Sequence, residues 1–351
     1  MCEPTSTEGV KVLSTKDFPT DQDILQCVSR LDPWDESRFR PVVVLQKCPR
    51  NRGEVVLMQD TTSGRKVAVK RMPTDWVCRS YEEFFATYPD ETEVPWMDMG
   101  TTKWLHENGC TRTVDFVGAY EADSVTSFVM GFCGGGDMFS YMETVVVNPD
   151  GPSREEVLRP LVTEMLEAVA DLHTQGIAHR DLSLENVLLV HEAIGPRNVR
   201  LIDFGMATCQ RFCTGPCGKP SYMAPEMHQG SYDPFKADAF SCGVMIYALI
   251  ARDYPWMSTR PGACRLFEFI RQQGFLTFLH KRRIPIGQEK RPVIEVISEG
   301  LVTLLTGLLV FDPDARLSLS RQDVGRTVWD SLWLQPARTA RPEQVATADT
   351  T

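Results

Sequence analysis

The apolar positions of this chain change period along its length, and the changes mark out its elements. Val42-Val43-Val44-Leu45, Val55-Val56-Leu57 and Val67-Ala68-Val69 are short runs of strand length, with Thr61-Thr62-Ser63-Gly64 as a hairpin turn. Val114-Asp115-Phe116 and Phe128-Val129-Met130 predict two more strands. Leu161, Met165, Leu166, Val169 and Leu172 instead recur at helical spacing, and two strand-like runs follow, Val187 to Val190 and Val199 to Ile202. Beyond them come an apolar helix through Val244, Met245, Ile246, Tyr247, Leu249 and Ile250, and the run Leu301 to Phe311. That run is short and broken by Thr303, Thr306 and Gly307, which predicts a buried helix rather than a membrane span. At the front, Ile24, Leu25, Val28 and Leu31 predict a short helix ended by Asp32-Pro33-Trp34, with Trp34 as an anchor onto the main domain. Residues 1 to about 20, and those from Pro336 onward, are polar and aperiodic and are expected to be disordered tails.

Candidate chemistry concentrates between the central helix and the strands after it. His179-Arg180-Asp181-Leu182-Ser183-Leu184-Glu185-Asn186 is a polar loop held between helix and strand, and Asp203-Phe204-Gly205 leaves the next strand. With Ala224-Pro225-Glu226 further on, these motifs, in this order, resemble those of eukaryotic protein kinases. The resemblance covers about residues 40 to 335 and implies an α+β, bilobal fold. Its small lobe, about 40–130, would be mainly β and its large lobe, about 134–335, mainly α, with residues 1–39 an extension and 336–351 a tail. It implies transfer of the γ-phosphate of ATP, with Mg2+, to serine or threonine hydroxyls of protein substrates. Such a reaction depends chiefly on positioning and on metal ions that spread the developing charge.

Carried over position by position, the resemblance makes Asp181 the residue that orients the attacking hydroxyl and Asn186 and Asp203 the metal ligands. Lys70 in Val67-Ala68-Val69-Lys70 would contact the nucleotide phosphates. Gly53 would be the last glycine of the phosphate-covering loop, with Val55 after it. Met130 would be the gatekeeper of the adenine pocket, Gly131 and Cys133 would offer backbone groups to adenine, and Asp137 would meet ribose. Asp238 would tie the catalytic loop in place, and Arg316 would pair with Glu226. Thr208 and Thr214 are candidate targets of an upstream kinase, with Arg180 as the phosphate's partner.

The sequence also departs from the family pattern. Cys48 and Arg50 stand where two glycines are expected, and Arg50 or Arg52 could compensate by pairing with phosphate. The stretch Arg71 to Gly100 is long, with Trp76, Trp96 and several acids, and reads as an insertion packed on the small lobe. Thr101 stands where the helix glutamate that holds Lys70 is expected, leaving Asp98 and Glu93 as alternatives. Ser183 and Lys219 appear exchanged relative to the usual lysine and threonine. The Lys219 ammonium would then reach the transferring phosphate from the other side of the cleft while Ser183 bonds to Asp181.

Composition adds bounds. With 42% apolar residues in 351 the chain can bury a large core, and its formal charge of -10 disfavours nucleic-acid binding. Eleven cysteines without a Cys-x-x-Cys pair, and an opening Cys2-Glu3-Pro4-Thr5 unlike a secretory leader, predict reduced thiols in the cytoplasm or nucleus, away from membranes. Cys209, Cys213 and Cys217 recur every fourth residue, which on a helix would suggest a redox or metal site. In a loop they read as ordinary thiols. Asp137 and Glu185 fit a substrate with basic residues near its target hydroxyl. The competing class is a pseudokinase that keeps the fold as a binding or scaffolding module. A small-molecule kinase fits less well, because the protein-substrate loop ending in Glu226 is present.

Overall fold

Strand-forming residues in the first third of the chain and helix-forming ones after it separate into two layers of structure, as a computed structural model describing residues 18–48, 52–144, 153–190, 199–323 and 326–335 shows. The expected tails and Arg50 lie outside the described residues, residue 18 to 20 excepted. In chain order the elements are α1 (Asp21–Cys27), β1 (Asp32–Pro33), β2 (Phe39–Cys48), β3 (Gly53–Asp60), β4 (Lys66–Pro73), α2 (Thr74–Val77), α3 (Tyr81–Thr87), α4 (Pro95–Glu107), β5 (Phe116–Ala122) and β6 (Val125–Gly131). There follow α5 (Met138–Thr144), α6 (Arg154–Thr174), β7 (Val187–Leu189), β8 (Val199–Leu201), α7 (Pro234–Ala251), α8 (Arg265–Gln273), α9 (Phe275–Lys281), β9 (Arg283–Ile286), β10 (Glu289–Pro292) and α10 (Glu299–Leu308).

The first six strands form one sheet in the order β1-β5-β6-β4-β3-β2, antiparallel apart from the β1–β5 pair. Val56, Met58, Val67, Val69 and Val129 are buried with Phe39 and Tyr120 on one side of it. Trp34 closes this small core, stacking on Phe39 at 4.8 Å and meeting Tyr120 edge-on at 5.8 Å. The expected anchoring role of Trp34 is thus met by an aromatic cluster, in which such geometry adds to area burial.

Residues after β4 fold onto the sheet and α4. Trp76 packs on Phe84 and Tyr88 at 5.6 and 4.9 Å, and the buried Trp96 indole donates to the Val77 carbonyl at 2.7 Å. Pro95 opens α4 at its first turn, where its missing N–H costs nothing. Helix α1 starts with a capping box between Thr20 and Asp23 and buries Ile24 and Leu25. It ends at Cys27, before Leu31, because Asp32–Pro33 is drawn into parallel pairing with Tyr120 and Glu121 and proline cannot extend a helix.

In the second half α6 begins with a Ser153–Glu156 capping box and leads to the polar loop before β7. Helix α7 has 18 residues and mean hydropathy 1.3, long and apolar enough for a bilayer, yet it is buried within the fold. Asp233 caps it, accepting from the Phe235 and Lys236 N–H groups, and α6 and α10 pack against it. Beneath the cleft β7 and β8 form a two-stranded ribbon that delivers the two polar loops side by side.

Candidate active site

The loop 179–186 is held from below. Both carboxylate oxygens of the buried Asp238 in α7 are used: Oδ2 accepts from the His179 N–H at 2.7 Å and Oδ1 from the Arg180 N–H at 2.9 Å. His173 from the end of α6 also meets Oδ2, at 2.9 Å. These bonds hold Arg180 at a φ of 66°, a left-handed conformation that a non-glycine residue keeps only when its surroundings enforce it. The His179 ring is in contact with Ile202 O at 3.0 Å and packs on the buried Phe204 ring at 5.1 Å, which ties the two polar loops together. Asn186 Nδ2 donates to Asp181 O at 2.8 Å and lies 3.3 Å from its Oδ2, while the Lys219 N–H reaches Oδ1 at 3.2 Å. Burial pushes the Asp181 carboxyl up to about 6, with His179 and Lys219 pulling the other way and Asp203 adding to the rise.

Lys70 links the two layers. Its ammonium lies 2.8 Å from Asp98 Oδ2 and 3.1 Å from Asp203 Oδ1. Burial works against its charge, but the Asp203 and Asp98 carboxylates hold it well above the usual lysine range. Of the acids left open by the sequence, Asp98 is the one hydrogen-bonded to Lys70. Its other oxygen accepts from the Phe204 N–H at 2.9 Å, and the Val94 N–H donates to Gly205 O at 2.8 Å, so α4 grips the Asp203 loop directly. Thr101, at the position predicted for the acid, is fully buried one turn further along α4, and its hydroxyl has no partner. Asp203 takes a φ of 67°, a second enforced left-handed residue at this site.

The cleft above is built by strand register. Lys70 pairs with Val55 on one side and Phe128 on the other, and Ala68 pairs with Met130, so these side chains share one face of the sheet. Gly131 is next to Met130 at the end of β6, and Cys133 follows, its thiol pushed up to about 11 by burial. Gly53 pairs with Cys48 across the turn between β2 and β3. Arg52, one of the two arginines offered as compensation, pairs with Asp75 at 3.1 Å in an exposed ion pair. Asp137 has its carboxylate on the Ser140 N–H at 2.8 Å, where it caps the first turn of α5.

Lys219, Ser183 and Glu185 form a cluster beside Asp181. The Lys219 ammonium donates to Ser183 Oγ at 2.9 Å and lies 3.1 Å from Glu185 Oε1. The expected Ser183–Asp181 bond is replaced by this one, because the buried Ser183 hydroxyl faces the ammonium. Gly218 brings Lys219 to the catalytic loop. Its φ is 88°, and a side chain there would begin 2.7 Å from Arg180 O.

Residues 51–329 match the protein kinase domain family. The chain belongs to the protein kinase family. Among curated proteins it is similar to the serine/threonine-protein kinase chk1 of Schizosaccharomyces pombe, 31% identical over 61% of this chain and 40% of that protein. It is likewise similar to the serine/threonine-protein kinase grp of Drosophila melanogaster, 31% identical over 58% of this chain and 36% of the relative. The maternal embryonic leucine zipper kinase of Xenopus tropicalis is 28% identical over 76% of this chain and 35% of its own length. The matched region thus spans about two fifths or less of each of these relatives.

Several residues of this kinase domain stand differently from the sequence reading. Thr208 is 3% exposed and donates its hydroxyl to the Asp21 carboxylate at 3.1 Å, so it is not presented to an upstream kinase. Thr214 is exposed. Arg180 is spent on the Tyr232 hydroxyl at 3.2 Å and Met206 O at 3.3 Å. Burial raises the thiols of Cys209, Cys213 and Cys217 above the ordinary range, which keeps them protonated, and no metal cluster occurs among the described residues. Asp21 was missed altogether, since only the three-dimensional path of the chain brings it to the loop after Asp203. Arg316, as expected, pairs with Glu226, through both terminal guanidinium nitrogens, with its side chain fully buried.

The donor chemistry fits a hard cation. Asp203 is kept ionised by Lys70, and the Asn186 amide nitrogen is spent on Asp181, which leaves its carbonyl oxygen free to ligate. One carboxylate and one amide oxygen suit Mg2+, which takes few protein ligands and completes its shell with phosphates and water.

Proposed function

We propose that this chain is an ATP- and Mg2+-dependent protein kinase acting on serine or threonine hydroxyls. The observation that carries the reading is the double contact of Lys70 with Asp98 and Asp203. It supplies the ion pair that the sequence seemed to lack and joins the sheet, α4 and the Asp203 loop around one cleft. Lys70 would hold the nucleotide phosphates, with Gly53 and Val55 above them. Val55 and Met130 would enclose the adenine, Gly131 and Cys133 would bond it through their backbone, and Asp137 would lie near ribose. Asn186 and Asp203 would hold Mg2+, which when bound neutralises and aligns the phosphate oxygens. Asp181 would accept a hydrogen bond from the substrate hydroxyl and take its proton, a role that a carboxyl near 6 can fill at neutral pH. Lys219 would steady the transferring phosphoryl group from the side of Ser183.

Glu185 supports a protein substrate with basic residues, because it puts a carboxylate on the catalytic loop on a side chain 40% exposed, 3.1 Å from the Lys219 ammonium. Thr214 remains the accessible candidate for an activating kinase, and the unpaired cysteines suit the cytoplasm or nucleus. One observation favours a pseudokinase as the second reading: Cys48 takes a glycine position in the phosphate loop and Arg52 is drawn off to Asp75. Magnesium-dependent transfer of labelled γ-phosphate to a basic test protein decides between them. Transfer by the wild type and none by Asp181→Ala is the expected result. No transfer from folded wild-type protein would overturn the kinase reading in favour of the scaffold.

A further inference from the structure

The segment before the sheet touches the parts of the kinase domain that must be aligned. One Asp21 carboxylate accepts from the Thr208 hydroxyl at 3.2 and 3.1 Å, the Cys209 N–H at 2.6 Å and the Gln210 side-chain amide at 2.7 Å. Thr208 in turn exchanges two backbone hydrogen bonds of 2.9 Å with Ala178, the residue directly before His179-Arg180-Asp181. On its other face α1 lies against α4, so close at Gly100 that a side chain there would begin 2.2 Å from Ile24 O. Lys103 of α4 also donates to Cys27 O at 2.9 Å. Helix α4 carries Asp98. Asp21 thus belongs to a seven-residue helix fixed on α4 and itself fixes the start of the activation segment, three donors converging on one side chain.

We propose that Asp21 is a positioning residue: it holds the start of the activation segment against the catalytic loop from within the same chain. The proposal rests on the kinase reading above. An acid is suited to the task because its two oxygens accept several hydrogen bonds at once, and bonds to a charged acceptor are the stronger kind. Because the tether is part of the chain, the segment at Thr208 needs no phosphate to be ordered. Phosphate on Thr208 itself would meet the Asp21 carboxylate and break the tether.

The test uses the full chain with Asp21→Ala, Gln210→Ala and the double variant. Initial rates of transfer to a basic test protein give kcat and the KM for ATP, and amide hydrogen exchange is followed over 178–181 and 206–210. Misalignment away from the chemistry predicts that Asp21→Ala lowers kcat about tenfold or more, with the KM for ATP changed by less than about twofold. Gln210→Ala should lower kcat in the wild type and have no further effect beside Asp21→Ala. Exchange at Thr208 and Cys209 should rise in the Asp21 variant while the melting temperature stays close to wild type. Unchanged kcat, or additive losses in the double variant, would overturn the proposal. Should the wild type transfer no phosphate, the kinase reading fails, and exchange still decides the tether: unaltered protection at Thr208 and Cys209 rejects it and faster exchange supports it.

Discussion

Replacing Asp98 by asparagine isolates the contact on which the proposed activity turns. The asparagine can keep the hydrogen bond from the Phe204 N–H to Oδ1, but it puts a neutral amide 2.8 Å from the Lys70 ammonium in a site where the Asp98 side chain is 4% exposed. Removing one partner of a buried ion pair costs about 3–5 kcal/mol. Here the loss is smaller, because Asp203 remains 3.1 Å from Lys70. A loss of about 2–3 kcal/mol expressed in the transition state corresponds to a fall of about 30- to 150-fold in kcat/KM for ATP. Lys70 left with Asp203 alone also competes with the cation for that carboxylate, so the fall should be accompanied by a higher Mg2+ requirement. Asp98→Ala goes further: it leaves the Phe204 N–H without an acceptor, and unfolding in urea should show an additional destabilisation of about 1–3 kcal/mol. Thr101→Glu placed in the Asp98→Ala background should not restore activity. Three residues along a helix move a side chain about 4.5 Å along the axis and about 60° off its original direction, and Thr101 is already fully buried, with no room for a glutamate. Wild-type kcat/KM in Asp98→Ala, or rescue by Thr101→Glu, would refute the reasoning.

Three other outcomes follow from the same geometry. Lys219→Thr should abolish transfer and Ser183→Lys combined with Lys219→Thr should restore it, because the two residues already share one hydrogen bond of 2.9 Å beside Asp181; an active single variant with a dead double would refute the exchange. The Asp181 carboxyl is raised to about 6, so the folded state binds its proton more tightly than the unfolded chain does, and the stability this confers is fully present below the ordinary value of 3.8 and lost as pH rises through 6. Asp181→Asn should therefore abolish transfer yet stabilise the nucleotide-free protein by about 2–3 kcal/mol at pH 8 and not at pH 3.5, and wild-type kcat/KM should show an acid limb near 6; both are read from unfolding curves and initial rates across pH. Arg316→Ala strands Glu226 in a buried site and should cost about 3–5 kcal/mol in urea unfolding, with Arg316→Lys recovering only part because an ammonium cannot make the two-pronged contact.

Much of the fold was legible because its periodicities are local. The strands around Val56, Val67 and Val129 and the helix through Leu161 to Leu172 announce themselves over a few residues, and the polar loops between them carry recognisable order. The boundaries that went astray answer to distant partners. Leu31 has the right spacing to continue α1, but Asp32–Pro33 is claimed by β5 some ninety residues on. The acid for Lys70 was placed at Thr101 by counting back from the next strand. Such counting assumes a fixed connection, whereas the aromatic packing of Trp76, Phe84, Tyr88 and Trp96 sets where α4 starts and which turn of it faces the cleft. Thr208 reads as a kinase target because it lies in the segment between Asp203 and Glu226. Its burial comes from Asp21, 187 positions away, and no local pattern encodes a contact of that separation.

The departures that weakened the kinase reading in sequence can be weighed by what stands in their place. A scaffold has no use for an acid on Lys70, yet Asp98 meets it, and the same carboxylate holds the Phe204 backbone. Nor does it need an ammonium beside Asp181, yet with only a neutral hydroxyl at Ser183, Lys219 supplies one from the opposite loop, brought there by a glycine at a φ of 88° that places the two backbones in contact. In both cases the residue type has moved and the charge has stayed. Compensation of this kind fits the proposed transfer, in which a reacting phosphate needs those charges at that geometry. The phosphate loop is the exception, where Arg52 is paired elsewhere and Cys48 replaces a glycine. It is therefore in the affinity for ATP, more than in the rate once ATP is bound, that this kinase domain should differ from its relatives. A KM for ATP that falls when Cys48→Gly is introduced, with kcat unchanged, would bear that out, and a change in kcat alone would count against it.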